Sequence, residues 1–143
     1  MFSESKLKLV HYTPLDICKT AIRECYDSHD KSDDMGIKDM SLINTVGNIK
    51  KHFSVYDHVI YTFMHKGIPS LAKLEMLQSN SYVVMNRMML VLNLRSFLDM
   101  LKDGKPLAAR NMFLKELYAK MPDNHRYLIE DAYNSFNGGP NGH

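Results

Sequence analysis

Three of the chain's seven histidines fall in one stretch, KKHFSVYDHVIYTFMHKG: His52, His58 and His65. Such a concentration of imidazoles raises the question of a metal centre, and spacing counts against it. His52 and His58 lie six apart across a helix-to-strand change, so neither periodicity sets them side by side. His65 follows His58 by seven residues on a strand, on the opposite face and about 23 Å along if extended. No Cys or His pair has zinc-ligand spacing, and no metal site is expected. The acidic stretch DSHDKSDDMG (Asp27–Gly36) suggests calcium but lacks the EF-hand spacing and terminal Glu, and reads as a solvated loop. Cys18 and Cys25 share the apolar face of a helix two turns apart, about 10 Å, too far for a disulfide. They read as buried thiols of a reducing cytoplasm, with no support for a nucleophile. A Walker sequence and a GxGxxG are both absent, and VGNIKKH holds a single glycine. No catalytic residue follows from these patterns.

The elements that must position these residues alternate in period. KLKLVHYTP reads as a strand near residues 6–12 with a mixed alternation, closed by Pro14. Thr13 then serves as a helix N-cap, with Leu15, Cys18, Ile22 and Cys25 on one face. A second helix is expected from about Asp39 to Lys51, burying Leu42, Val46, Ile49 and Phe53. HVIYTFMHKG is a strand: Val59, Tyr61, Phe63 and His65 face one way, and Ile60, Thr62 and Met64 the other. A third helix starts at Ile68-Pro69 with Leu71, Leu74 and Leu77 inward. SYVVMNRMMLVLN forms one long strand or two short ones broken near Asn86-Arg87. A short helix ends at Gly104. Another opens at Pro106, with Leu107, Leu114, Leu117 and Met121 on its face. Asp123 caps the last. The expected class is α+β: a small, mostly antiparallel sheet packed by helices. Residues 1–136 read as a single domain and 137–143 as a disordered tail.

Composition sets further bounds. The chain has 143 residues, enough for a core, with 45% hydrophobic and 24% charged residues. A net charge of +2 gives no indication of nucleic-acid binding. The longest apolar run, Met88–Leu92, is far too short for a membrane span, and MFSESKLKLV lacks a signal peptide's apolar region. A cytoplasmic location is expected. The eleven methionines read as adaptable core filler.

A family resemblance adds what these patterns cannot. From His11 to Leu77 the sequence resembles the N-terminal half of the flavin-dependent thymidylate synthases, the ThyX family. In that family a helix ends in a His-x-Ser/Thr-x-x-Glu-His loop, followed by a strand similar to YTFxIKG. Here the loop is His52-Phe53-Ser54-Val55-Tyr56-Asp57-His58, with Asp57 in place of Glu, and the strand is Tyr61–Gly67. LVLNLRSFLDML resembles the family's xxxNARSLxNFL, and MPDNHRYLIEDAY its closing element. The resemblance implies a truncated ThyX-like fold and FAD as cofactor. It also implies a tetramer with active sites at subunit junctions, and methylation of dUMP from methylenetetrahydrofolate with NADPH as reductant. His52, Ser54, Asp57, Asn93 and Arg95 would be cofactor-binding positions. Glu75, Ser81 and Arg87 would be substrate-binding.

The departures from the family are equally specific. Its Arg-His-Arg signature should begin near Gln78, where this sequence has Gln78-Ser79-Asn80. SYVVMNR resembles the SYSVxSR that follows, but several dozen subsequent family residues are missing. Asp99 replaces a flavin-contacting Asn, and Gly104 an Arg that grips the nucleotide. A phosphate dianion is held by bidentate arginines, and losing one buried contact of this kind costs about 2–5 kcal/mol. The expectation is therefore a pseudoenzyme that has lost dUMP methylation and serves as a binding or regulatory protein. Its partner is an unidentified protein, and a homo-oligomer, dimer or tetramer, is expected. Retention of FAD is in doubt. The alternatives are a minimal FAD or nucleotide binder and a divergent thymidylate synthase. Each retained residue also has a structural reading: His52 as a helix C-cap, Ser54 as the start of a turn, and Asn93 and Arg95 as the strand-to-helix joint.

Overall fold

The computed structural model describes residues 7–66, 83–86, 88–101 and 112–136. Their sheet has four antiparallel strands: β1 (Leu7–Tyr12), β2 (Ile60–His65), β3 (Val83–Met85) and β4 (Met89–Asn93), in the order β1-β2-β4-β3. The α+β expectation holds. Of the two forms expected for SYVVMNRMMLVLN, the structure has two short strands broken at Asn86, folded into a hairpin. Asn86 makes the break: its Oδ1 accepts the N–H groups of Met88 and Met89, an Asx turn that closes β3 onto β4.

Alternation along β2 is as expected, with Tyr61, Phe63 and His65 buried and Met64 exposed. The mixed pattern of β1 has a cause. A bulge between Leu9 and His11 shifts the register, so that Leu7 opposes His65 whereas Tyr12 opposes Tyr61. One extra residue changes which parity faces the core, bringing Tyr12 to the same side as Leu7.

Helices pack the inner face: α1 (Asp16–Cys25), α2 (Ile37–Ile43), α3 (Leu94–Leu101), α4 (Met112–Lys120) and α5 (Asp123–Phe136). The core joins Leu15, just before α1, and Cys18 and Ile22 of α1 to Phe63, Leu90 and Leu92 of the sheet and to Leu98, Leu128 and Ile129 of α3 and α5. Thr13 does not cap α1. It closes the sheet, where its N–H donates to Ile60 O at 2.9 Å and its Oγ1 accepts the Ile60 N–H at 3.2 Å. Cys25 is exposed, not buried. Cys18 is buried, its Sγ donates to Val55 O, and burial pushes its pKa up to about 12.

The acidic loop is less solvated than its composition suggests. Asp33 caps α2, accepting the N–H groups of Gly36, Lys38 and Asp39. Asp39 is fully buried and takes both Nε and Nη2 of Arg23 on one oxygen, at 3.0 and 2.9 Å. Its other oxygen accepts from Ser32 Oγ at 2.6 Å and Met35 N at 2.9 Å. Burial alone would raise this carboxyl's pKa. The bonds from Ser32, Met35 and Arg23, with the guanidinium charge, outweigh burial and hold it well below the usual range.

The second helix also departs from a simple 3.6 period. After α2 the chain continues as a π-helical turn, Asn44–Ile49, in which Lys50 N reaches back five residues to Thr45 O. The wider turn rotates the apolar stripe. Ile43, Val46 and Gly47 face inward, while Ile49, expected inward, is exposed. The helices expected from Ile68 and from Pro106, with Leu71, Leu74, Leu77, Leu107 and Gly104, fall outside the described residues or enter them only at Met112. So does the tail 137–143.

Candidate functional site

The loop after the π-turn carries most of the residues of interest. Lys51 sits at φ 59°, reversing the chain, and His52 N donates to Val46 O. A 3-10 turn, Phe53–Tyr56, follows. His52, Ser54 and His58 are exposed on this loop, and Asp57 is half-buried. The backbone of His52, and not a charged imidazole, closes the preceding helix.

Four elements hold the loop from beneath. Cys18 of α1 bonds Val55 O. Tyr56, fully buried, donates its hydroxyl to Asn48 Oδ1 of the π-turn at 2.7 Å. Asn48 in turn donates to Leu128 O of α5 at 3.1 Å. The fourth grip comes from the β4–α3 joint. Asn93 Nδ2 donates to Asp57 O at 3.0 Å, and its Oδ1 accepts Ser96 N at 2.9 Å and Ser96 Oγ at 2.7 Å. Asn93 is thus the N-cap of α3 and a tie to the loop at once. Arg95, in the first turn of α3, reaches the Asp57 carboxylate through Nη1 at 3.2 and 3.4 Å. Both side chains of this pair are open to water, 42% and 38% exposed.

The structure therefore brings Asp57, Asn93 and Arg95 into contact and places His52 and Ser54 on the same loop. Glu75, Ser81 and Arg87 lie outside the described residues. Among the described residues no group of three His, Cys, Asp or Glu side chains is placed to hold a metal ion. A pocket of about 160 Å³ lined by Leu101, Ile129, Glu130, Tyr133 and Asn134 includes none of the predicted site residues. It is well below the 300–1,000 Å³ typical of cofactor sites.

One buried polar pair escaped the sequence reading. His125 of α5 is 1% exposed, and its Nδ1 shares a hydrogen bond of 2.6 Å with the Tyr61 hydroxyl. Tyr12 packs edge-on against the imidazole, with ring centroids 5.5 Å apart. Burial lowers the pKa of His125 to about 4, so the ring is neutral at pH 7. Nothing local in NHRYLIEDAY signals a partner 64 residues away. Gly47 is different: an isolated glycine in a helical pattern costs stability and so points to a packing reason, here the Tyr56 side chain.

Comparison with known proteins bears on the origin of the chain. No family model matches the chain. A stretch of 58 residues is 53% identical to flavin-dependent thymidylate synthase of Helicobacter pylori (strain ATCC 700392 / 26695), covering 41% of this chain and 28% of that protein. Over that stretch the chain is similar to the flavin-dependent thymidylate synthases. The enzyme of the same name from Wolinella succinogenes is 50% identical over 60 residues, covering 42% of this chain and 29% of that protein. The Campylobacter jejuni (strain RM1221) enzyme is 44% identical over 63, covering 44% of this chain and 30% of that protein. The matches thus span under a third of the length of these curated relatives. The fold is that of ThyX. The crystal structure of thymidylate synthase X from Helicobacter pylori with FAD and dUMP superposes with a TM-score of 0.65 at 24% identity, covering 90% of this chain and 99% of that one.

The residues present fit a flavin only in part. Arg95 offers a half-exposed guanidinium suited to an anionic group. Asn93 does not fit a ligand-facing role, since it is 4% exposed and both ends of its amide bond to Asp57 and Ser96. No chemical step through a flavin follows from this arrangement. Exposed His52, Ser54 and His58, with Arg95 behind Asp57, make a surface that can bind a polar or anionic group.

Proposed function

We propose that this chain is a ThyX-scaffold protein that no longer methylates dUMP and acts by binding, as a regulatory protein. The observation that supports it most is the double engagement of Asn93. A residue that the resemblance assigns to the flavin is used up in capping α3 and holding the loop. Its presence is accounted for by the scaffold, without catalysis. The sequence adds that Gln78-Ser79-Asn80 stands where arginines would grip a phosphate dianion. Without a positioned substrate, the proximity contribution to methyl transfer is lost. On this reading the chain works as a homo-oligomer with a protein partner, and the polar surface of the 52–58 loop is one part of its binding face. Expression in a thymidine auxotroph tests it: no growth without thymidine is expected, and rescue would overturn it.

A second reading, a minimal FAD or nucleotide binder, is favoured by one observation. The tie between Arg95 and Asp57 is exposed and uses a single guanidinium nitrogen, so Arg95 can take up a phosphate group as well. The visible spectrum of the purified protein decides between the two. Flavin absorbance near one per subunit supports this second reading; a colourless protein that takes up no added FAD excludes it.

A further inference from the structure

Gly47 and Tyr56 are matched in a way that neither the fold nor a ligand requires by itself. A Cβ on Gly47 would lie 2.1 Å from the Tyr56 hydroxyl and 2.4 Å from the ring carbon that bears it. The π-turn thus has a gap at Gly47, and the phenol of the 3-10 turn fills it. At the bottom of the gap the hydroxyl meets Asn48, which is 1% exposed. The Asn48 amide is held on both sides, donating to Asn44 Oδ1 at 2.8 Å and to Leu128 O at 3.1 Å. One continuous run of buried hydrogen bonds therefore leads from the loop, through the π-turn, to the middle of α5.

Such a run opens together or not at all. If the loop lifts, Tyr56 leaves the gap and Asn48 loses its acceptor contact in a dry site, where an orphaned polar group is costly. Asn48 is relieved only by turning toward water, and that movement breaks its bond to Leu128. Conversely, undocking α5 removes the carbonyl that orients the amide toward Tyr56. We propose that Tyr56 is the positioning residue of the 52–58 loop and couples its conformation to the docking of α5. The loop and the first half of α5 open as one unit, separately from the sheet. The inference rests on the placement of the loop and not on which ligand it takes, so a failure to bind FAD leaves it standing.

Native-state hydrogen exchange on the whole chain tests this, read by mass spectrometry in peptides covering 50–58, 123–132 and strands β2 and β4. Tyr56→Phe keeps the ring in the gap and removes only the hydroxyl. Exchange is expected to speed by about tenfold in both the loop and α5 peptides, with the strands unchanged. Tyr118→Phe serves as the control. It cuts an exposed hydroxyl contact to Glu130 of α5 that lies outside the buried run, and is expected to leave the exchange of both the α5 peptide and the loop as in the wild type. Gly47→Ala blocks the gap and should release the loop and α5 further, in the same proportion. Three results would overturn the proposal: loosening of the loop with α5 unchanged in Tyr56→Phe, equal loosening of all peptides including the strands, or loosening of the α5 peptide by Tyr118→Phe with the loop unchanged. Should Gly47→Ala fail to fold, Tyr56→Phe still decides the matter.

Discussion

Two arginine–carboxylate pairs stand at opposite limits in this molecule. Arg23 and Asp39 are buried, with side chains 7% and 0% exposed, and share four close hydrogen bonds among themselves, Ser32 and Met35. Arg95 and Asp57 touch through one nitrogen at 3.2 Å with about two-fifths of each side chain in water. The first pair has nowhere else to find solvation, so it fixes the structure. The second is screened and replaceable, and is the pair that a ligand or partner could reach. The resemblance to thymidylate synthases drew attention only to the second.

Substitutions should separate these roles. The largest effect is expected at the buried clamp. Asp39→Ala leaves the Arg23 guanidinium without its counter-charge and should cost about 3–5 kcal/mol in urea unfolding. A loss under 1 kcal/mol would show that the clamp is dispensable. Acid provides the next test. His125 has a folded pKa of about 4 against an unfolded value near 6.5. The unfolded chain therefore binds the extra proton first, and stability should fall as pH drops from 6.5 to 4. The loss from this residue should approach about 3 kcal/mol and then level off. His125→Gln should flatten that part of the stability–pH curve; an unchanged slope would remove His125 as its source. Asn93→Ala takes away the α3 cap and the tie to Asp57 O together, and about 1–2 kcal/mol is expected from thermal denaturation. Asp57→Asn, at the exposed pair, should change stability by less than about 1 kcal/mol. A loss as large as that of Asp39→Ala would erase the distinction between the two pairs.

Local pattern carried much of this structure, and long-range pairing carried the rest. Strand β2 was legible because Val59, Tyr61, Phe63 and His65 alternate cleanly, and one face is buried. The apolar stripe of the second helix was misplaced at Ile49, because hydrophobic spacing assumes 3.6 residues per turn and the chain forms a π-turn there. The mixed signal of β1 was a correct observation without its cause, since a bulge between Leu9 and His11 cannot be read from alternation. Asp39 was expected only as the start of the second helix; the fold reveals that Arg23, sixteen residues earlier, meets it in the core. Within the candidate site, the resemblance gathered Asp57, Asn93 and Arg95 from two distant segments, and the fold places them in contact. What it could not supply was the direction in which Asn93 works. The alternative reading of Asn93 as the strand-to-helix joint anticipated its cap of α3; its tie to the loop carbonyl of Asp57 is a meeting that only the assembled chain creates. The positions Glu75, Ser81 and Arg87 lie outside the described residues.

The most direct test of a scaffold without its chemistry is tritium release from dUMP labelled at carbon 5. The purified full chain is given FAD, methylenetetrahydrofolate and NADPH. Release no greater than in a reaction without protein is the predicted result; release that rises in proportion to the protein added would contradict it.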